Sequence, residues 1–164
     1  MTRPVRRERH QNPKTPIRAA LHKESALKSI VKDGLGALKS SHRSYFEDTA
    51  RVVFADSLDI DEGLRENREQ ENRWDYLLGH KTTKAIIAVE PHSADNSEIR
   101  TIIRKREAAI RQLEGHLLKK VRISKWIWVA SGTVRFLPLD KKKLLLDQNG
   151  IEFIGGKIRK QHLC

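Results

Sequence analysis

Residues 74–94 read WDYLLGHKTTKAIIAVEPHSA, and this stretch predicts a β-hairpin. Residues 74–78 are mainly apolar and read as one strand, while the polar residues 79–83 read as a turn. Residues 85–89 (AIIAV) form a second apolar run, which is typical of a strand buried on both faces. Pro91 has no backbone N–H, so the second strand should end there or lie at a sheet edge.

Carboxylates stand at the open end of this hairpin, with Asp75 in the first strand and Glu90 after the second. Paired strands lie about 5 Å apart, so the two side chains can converge. Two oxygen ligands, several waters and a phosphate suit Mg²⁺. His92 would share the face of Glu90 on a regular strand. For Asp75, the alternatives are a cap at the start of the strand or an ion pair with Arg73. For Glu90 the alternative is a paired or solvated carboxylate, and for His92 it is an ordinary loop position.

The rest of the chain alternates helical and extended patterns, which favours an α/β fold around one mixed sheet. Ser97 is a good N-cap for the longest helix. The predicted helices cover 17–32, 37–58, 97–120 and 141–148, and further strands cover 124–130, 151–154 and the short segment 134–137. Residues 59–72 are charged and read as a loop or as a frayed extension of the helix predicted before them.

The composition points to a polyanionic partner. The 164 residues carry a net charge of +12, which favours nucleic acid first and an anionic membrane surface second. Cys164 is the single cysteine, and this fits a reducing cytoplasm. No apolar stretch approaches membrane-spanning length. We expect residues 1–33 to form a basic arm with an accessory helix, and residues 34–164 to form the α/β domain.

The order of elements, with Asp in "WDY", Glu in "VEPH" and the helical sequence "FEDTA", resembles the PD-(D/E)xK nuclease superfamily. The resemblance covers residues 37–155, and its motifs are short. It implies a three-layer α/β/α sandwich with a restriction-endonuclease-like core. It also implies that Asp75 and Glu90 hold Mg²⁺ or Mn²⁺, and that Glu47 completes the metal shell.

The resemblance implies a metal-dependent nuclease that hydrolyses DNA phosphodiester bonds. The chain departs from the family at His92, which stands where the family has lysine. Histidine can act as base, ligand or phosphate donor, but it is not a permanent cation at neutral pH. Lys84 could substitute for that lysine. The alternative function is a degenerate nucleic-acid-binding protein on the same scaffold. Small nucleases of this kind are often dimers, so a homodimer is compatible with the resemblance.

Basic side chains outside the hairpin are candidates for contacts with a DNA backbone. A solvated basic face is the alternative explanation for them. A third hypothesis for the whole chain is an assembly protein that grips RNA or a protein partner. The candidate nucleic-acid contacts are Arg100, Arg104, Lys105, Arg111, Lys141, Lys142 and Lys143.

Overall fold

A computed structural model describes residues 14–66, 68–134 and 140–164 of the chain. Its helices are α1 (Pro16–Ala20), α2 (Ser40–Arg43), α3 (Asp48–Arg51), α4 (Ile60–Gly63), α5 (Glu98–Leu113) and α6 (Asp140–Gln148). Short 3₁₀ segments cover Ala26–Ile30 and Lys160–Leu163. The strands are β1 (Lys32–Asp33), β2 (Phe54–Asp59), β3 (Tyr76–His80), β4 (Ile86–His92), β5 (Ile123–Ala130) and β6 (Ile151–Ile154).

The strands of the described residues form one mixed sheet in the order β1-β2-β3-β4-β5-β6. Strands β1 to β4 pair with one another in antiparallel fashion, and β5 and β6 continue parallel to β4. This topology confirms the α/β class and the predicted hairpin, in which Tyr76 is opposite Val89. Strand β4 continues through Pro91, but beyond Val89 only β5 pairs with it. Pro91 therefore lies where one side of the strand is an edge.

Alternate residues of the central strands enter two separate hydrophobic cores, one on each face of the sheet. The first core contains Leu77, Ala88 and Trp128, and α1, α5 and α6 pack against it. The second contains Tyr76 and Val89, and the segments around α2 and α3 cover it. Helical segments thus shield both faces, which explains why β4 is apolar at successive positions.

The segment before residue 34 is part of the same core. Ile17, Leu21 and Leu27 are buried in the first core, and β1 pairs with β2. The carboxylate of Asp56, which is 0% exposed, accepts the backbone N–H groups of Ile17 and Arg18 at 3.0 and 3.1 Å. These bonds satisfy first-turn amides of α1 and fasten the segment to β2.

Three predicted helices differ from the structure. The helix predicted over 17–32 is a short α-helix followed by a 3₁₀ turn, and that predicted over 97–120 ends at Leu113, two residues before Gly115. The single helix predicted over 37–58 was wrong, because the segment forms the short helices α2 and α3 and then β2 over residues 54–59. Its buried polar residues Asp56 and Ser57 obscured the strand pattern, and both accept hydrogen bonds from distant backbone amides.

The predicted helix over 141–148 and the predicted strands over 124–130 and 151–154 correspond to α6, β5 and β6. The short strand predicted over 134–137 lies, except for its first residue, outside the described residues. The same is true of residues 1–13 of the predicted basic arm. In the part of the chain that the structure covers, none of the helices combines the length and apolar character needed to cross a bilayer.

Candidate active site

Several strand ends meet at one edge of the sheet, and the acidic side chains gather there. The C-terminal ends of β2, β4 and β5 lie beside the N-terminal end of β3. Asp59 ends β2, Asp75 directly precedes β3, and Glu90 lies near the end of β4. This is the edge at which α/β proteins commonly place ligands.

Glu90 is the buried centre of this edge, with a side chain that is 1% exposed. Its Oε2 accepts the backbone N–H of Asp75 at 2.8 Å. Its Oε1 forms an ion pair with the Nζ of Lys105 and lies 3.5 Å from Nδ1 of His92. A buried carboxylate requires such donors, because an unpaired charge at this depth would be strongly unfavourable.

The carboxyl group of Asp75 lies close enough to that of Glu90 for their charges to interact. Burial of the Asp75 carboxyl, followed by repulsion from Glu90, raises its pKa to about 7, against an opposing effect of Lys105. Near neutral pH this carboxyl is therefore divided between its protonated and ionised forms. The ion pair between Asp75 and Arg73, considered from the sequence, does not form: Nε of Arg73 bonds to Asp61 at 2.9 Å instead.

His92 lies between two carboxylates. Its Nε2 is 2.6 Å from Oε2 of Glu98 on the first turn of α5, and its Nδ1 faces Glu90. The hydrogen bond with Glu90 raises the pKa of His92, the bond with Glu98 adds to this, and burial acts in the opposite direction. Both ring nitrogens face acceptors, so the protonated imidazolium is the form that this environment favours.

Two further acids border the edge. Asp59 caps α4 by accepting the backbone N–H of Glu62 at 2.9 Å, and burial raises its pKa. Burial alone would also raise the pKa of Asp61, but hydrogen bonds from Arg65 and Arg73 hold it below its ordinary value. These two carboxylates already serve α4 and the loop that leads to β3.

The structure does not bring Glu47 to this edge. Glu47 precedes α3, its backbone N–H donates to the carbonyl of Ile158, and its carboxylate pairs with Arg159 at 3.1 Å. The chain then enters β2 at Phe54, which lies opposite His80 at the turn end of the hairpin. The role that the family resemblance implied for Glu47 therefore has no geometric basis here.

Lys84 is also placed elsewhere. It is an exposed residue of the turn between β3 and β4, and its backbone N–H donates to the carbonyl of His80. Strand β4 from Ile86 to Glu90 alone spans about 13 Å, and Lys84 lies beyond its start, in the turn. Lys84 thus cannot replace the family lysine, and the cation beside Glu90 is Lys105 of α5.

The fit of a divalent cation depends on the donors at this edge. Among the described residues, no group of three or more His, Cys, Asp or Glu side chains is arranged to hold a metal. Mg²⁺, however, is often bound by one or two carboxylates together with waters and substrate phosphates. Asp75 and Glu90 provide such a pair, and the repulsion that raises the Asp75 pKa is one that a bound cation would relieve.

The basic residues that were predicted to contact nucleic acid differ from one another in their exposure and in their neighbours. Arg100 is exposed, and Arg104 and Arg111 line a cleft of about 670 Å³ beside residues 68–72. Lys141 and Lys143 are exposed on α6, and Nζ of Lys142 donates to Asn96.

Lys105 was assigned from the sequence to backbone contacts, although helical spacing offered a better signal. Glu98, Ile102, Lys105 and Ala109 follow one another at intervals of three or four residues, so they share one face of α5. Ile102 and Ala109 are buried in the first core. A lysine on this buried stripe needs a carboxylate partner, and Glu90 on the neighbouring strand is that partner.

Comparison of the chain with protein-family models, with curated proteins and with solved structures gives no significant match.

Proposed function

We propose that this protein is a metal-dependent nuclease that hydrolyses DNA phosphodiester bonds at the edge of the sheet where Asp75, Glu90 and Lys105 meet. The observation that carries the proposal is the arrangement around Glu90: its carboxylate binds the backbone of Asp75 with one oxygen and Lys105 with the other. An Asp, a Glu and a Lys on adjacent elements correspond to the set of groups that the resemblance to the PD-(D/E)xK nucleases implies.

Asp75 and Glu90 are the residues that would hold Mg²⁺ or Mn²⁺. When bound there, the ion would supply Lewis-acid stabilisation of a phosphate and a more acidic water. Asp75, whose pKa is about 7, loses its remaining proton readily near neutral pH, and its ionised form is the one that binds a cation. Glu47 has no role in this proposal.

Lys105 takes the part that the family gives to its motif lysine. Its ammonium group is held at Glu90, so it is oriented before any substrate arrives. A fixed cation next to a scissile phosphate stabilises negative charge that develops on the phosphate oxygens. The replacement of the motif lysine by His92 is therefore compatible with activity, because the cation comes from α5.

His92 acts as a second, pH-dependent donor. Glu90 and Glu98 favour its imidazolium form, which can donate a hydrogen bond to a phosphate oxygen or a proton to a leaving alkoxide. The net charge of +12 supports the choice of a polyanionic substrate.

Plasmid and single-stranded DNA incubated with the full chain in Mg²⁺, Mn²⁺ or EDTA test this proposal. We expect cleavage with either metal and none in EDTA. A Asp75→Asn/Glu90→Gln double variant should lose cleavage, whereas Glu47→Gln, which removes a carboxylate at the other end of the hairpin, should retain it. Equal cleavage by the wild type and the double variant would reject the site.

The degenerate nucleic-acid-binding protein remains the second candidate, and one observation favours it: protein donors already engage both oxygens of Glu90. DNA binding that weakens steeply with salt, without cleavage in either metal, would select this alternative.

A further inference from the structure

A concave basic surface lies at the opposite end of the hairpin from the candidate active site. It is a cleft of about 530 Å³ between α1, the β3–β4 turn and the start of β5. Three cationic side chains line it, Lys14, Lys84 and Arg122, together with the hydroxyl residues Thr83 and Ser124. The described residues that line this cleft include no Asp or Glu.

The cations of this cleft are not neutralised by carboxylates of the described residues. Within the described chain, Lys14 and Lys84 form no ion pair, and the guanidinium of Arg122 bonds to the main-chain carbonyls of Lys119 and Val121. The buried carboxylate of Asp56, which lies with Pro16 against Gly79, is already bonded to two backbone amides. Three like charges around one concavity repel one another, so an anion bound there would stabilise them.

The backbone at Lys84 adds an independent observation. Lys84 has φ +62°, which makes it the non-glycine residue of the described chain with a left-handed backbone. Glycine adopts this conformation without strain, and asparagine adopts it more easily than lysine does. A lysine at a turn position that suits glycine is explained if its side chain has a role that outweighs the backbone cost.

We propose that this cleft is a second phosphate-binding site, which contacts the backbone of a bound nucleic acid at the opposite end of the hairpin from Glu90. Lysine, arginine and hydroxyl groups are the donors that phosphodiester oxygens accept in protein–DNA contacts. The sharing of one nucleic acid by both sites rests on the proposed function, but the binding of phosphate at the cleft does not require cleavage.

The test measures binding of a fluorescent 20-base-pair DNA to the full chain in EDTA, at salt concentrations from 50 to 300 mM. Lys84→Gly removes one cation and also the backbone strain. We expect it to raise the thermal unfolding midpoint by about 2 °C. It should weaken DNA binding about fivefold at 0.1 M salt and lower the slope of log affinity against log salt by about 0.9. The Lys14→Gln/Lys84→Gly/Arg122→Gln triple variant should lower this slope by about 2.7.

Lys81→Gln is the matched control, because Lys81 is an exposed cation of the same turn whose Nζ bonds to the carbonyl of Val52 and does not line the cleft. It should change the affinity by less than twofold. Unchanged binding by Lys84→Gly, or an equal loss for Lys81→Gln, would overturn the proposal, as would a wild type that does not bind DNA. A further result would also reject the proposal. If inorganic pyrophosphate competes with DNA for the wild type while Lys84→Gly leaves DNA binding unchanged, the cleft is a site for a small anion.

These outcomes separate the two proposals. Cleavage that is lost in the Asp75→Asn/Glu90→Gln variant while DNA binding still depends on Lys84 supports both. DNA binding that depends on Lys84 in a protein that never cleaves supports the second phosphate site and rejects the nuclease.

Discussion

Lys105 of α5 forms an ion pair with Glu90 of β4, and the Glu90 side chain is 1% exposed while that of Lys105 is 18% exposed. The pair connects the long helix to the central strand at the edge where the acids gather. It also accounts for how an uninterrupted apolar run can end in a carboxylate without leaving a buried charge unpaired. Any chemistry at this edge depends on the charges of Lys105, Glu90 and Asp75 together.

Replacing Lys105 should therefore destabilise the fold. Lys105→Met leaves the buried Glu90 carboxylate without its main partner, and we expect a loss of about 3 kcal/mol in the free energy of unfolding, measured by urea denaturation. Lys105→Met/Glu90→Gln should recover most of this loss because the unpaired carboxylate at position 90 is removed. Arg104→Met, the exposed neighbour, should change stability by less than about 0.5 kcal/mol. A loss below about 1 kcal/mol for Lys105→Met would show that the pair does not form.

Asp75 should make stability depend on pH. Its pKa is about 7 in the folded protein and near the ordinary 3.8 when unfolded, so the folded state binds the proton more tightly. The stability that this carboxyl contributes is fully present below about pH 4 and is lost as the pH rises through 7. The loss is at most about 4 kcal/mol. Urea denaturation in EDTA should show a wild-type decline between pH 4 and 7 that is reduced in Asp75→Asn; identical profiles would contradict the raised pKa.

His92 should titrate above the ordinary histidine range. Glu90 and Glu98 raise its pKa, so the stability gained from its protonation is present below pH 6.5 and is lost as the pH rises through the folded-state value. NMR titration of the imidazole signals should show this elevation in the wild type and a lower pKa in Glu98→Gln. Glu114→Gln, at an exposed position beyond the other end of α5, should leave the His92 titration unchanged. A wild-type pKa at or below 6.5 would rule out the arrangement.

Asp56 should be the residue that fixes α1 to the sheet. Asp56→Ala leaves the amides of Ile17 and Arg18 without their buried acceptor, and we expect a loss of about 2–4 kcal/mol in unfolding free energy. Asp33→Ala removes the ion-pair partner of Arg18. The side chain of Asp33 is 85% exposed, so its loss should cost less than about 1 kcal/mol. Urea denaturation of both variants checks this, and equal effects would contradict the capping role.

The sequence predicted those elements whose apolar residues run together or repeat at a regular period. The hairpin, α5 and β5 are of this kind, and the α/β class followed from them. Strand β2 was not predictable by the same rule, because its buried Asp56 and Ser57 depend on amides of Ile17 and Ala37, which lie far away in the chain. Secondary-structure propensity and hydrophobic periodicity carry no information about such tertiary partners.

Part of the candidate site was accessible from the sequence. Asp75, Glu90 and His92 come together because two strands and one short turn position them. Glu47 was assigned by resemblance to a helix that, in the structure, is short and lies at the other end of the hairpin. Lys105 acquires its role only when α5 packs on β4, and that contact requires the tertiary fold.

The most direct measurement is the single-turnover cleavage rate of Asp75→Asn at saturating DNA in Mg²⁺, compared with its DNA affinity in EDTA. We expect a rate at least about 100-fold below that of the wild type, because a group needed for the chemical step is lost, with an affinity within twofold. Cleavage at the wild-type rate by Asp75→Asn, or no metal-dependent cleavage by the wild type, would contradict the assignment of a nuclease site to this edge of the sheet.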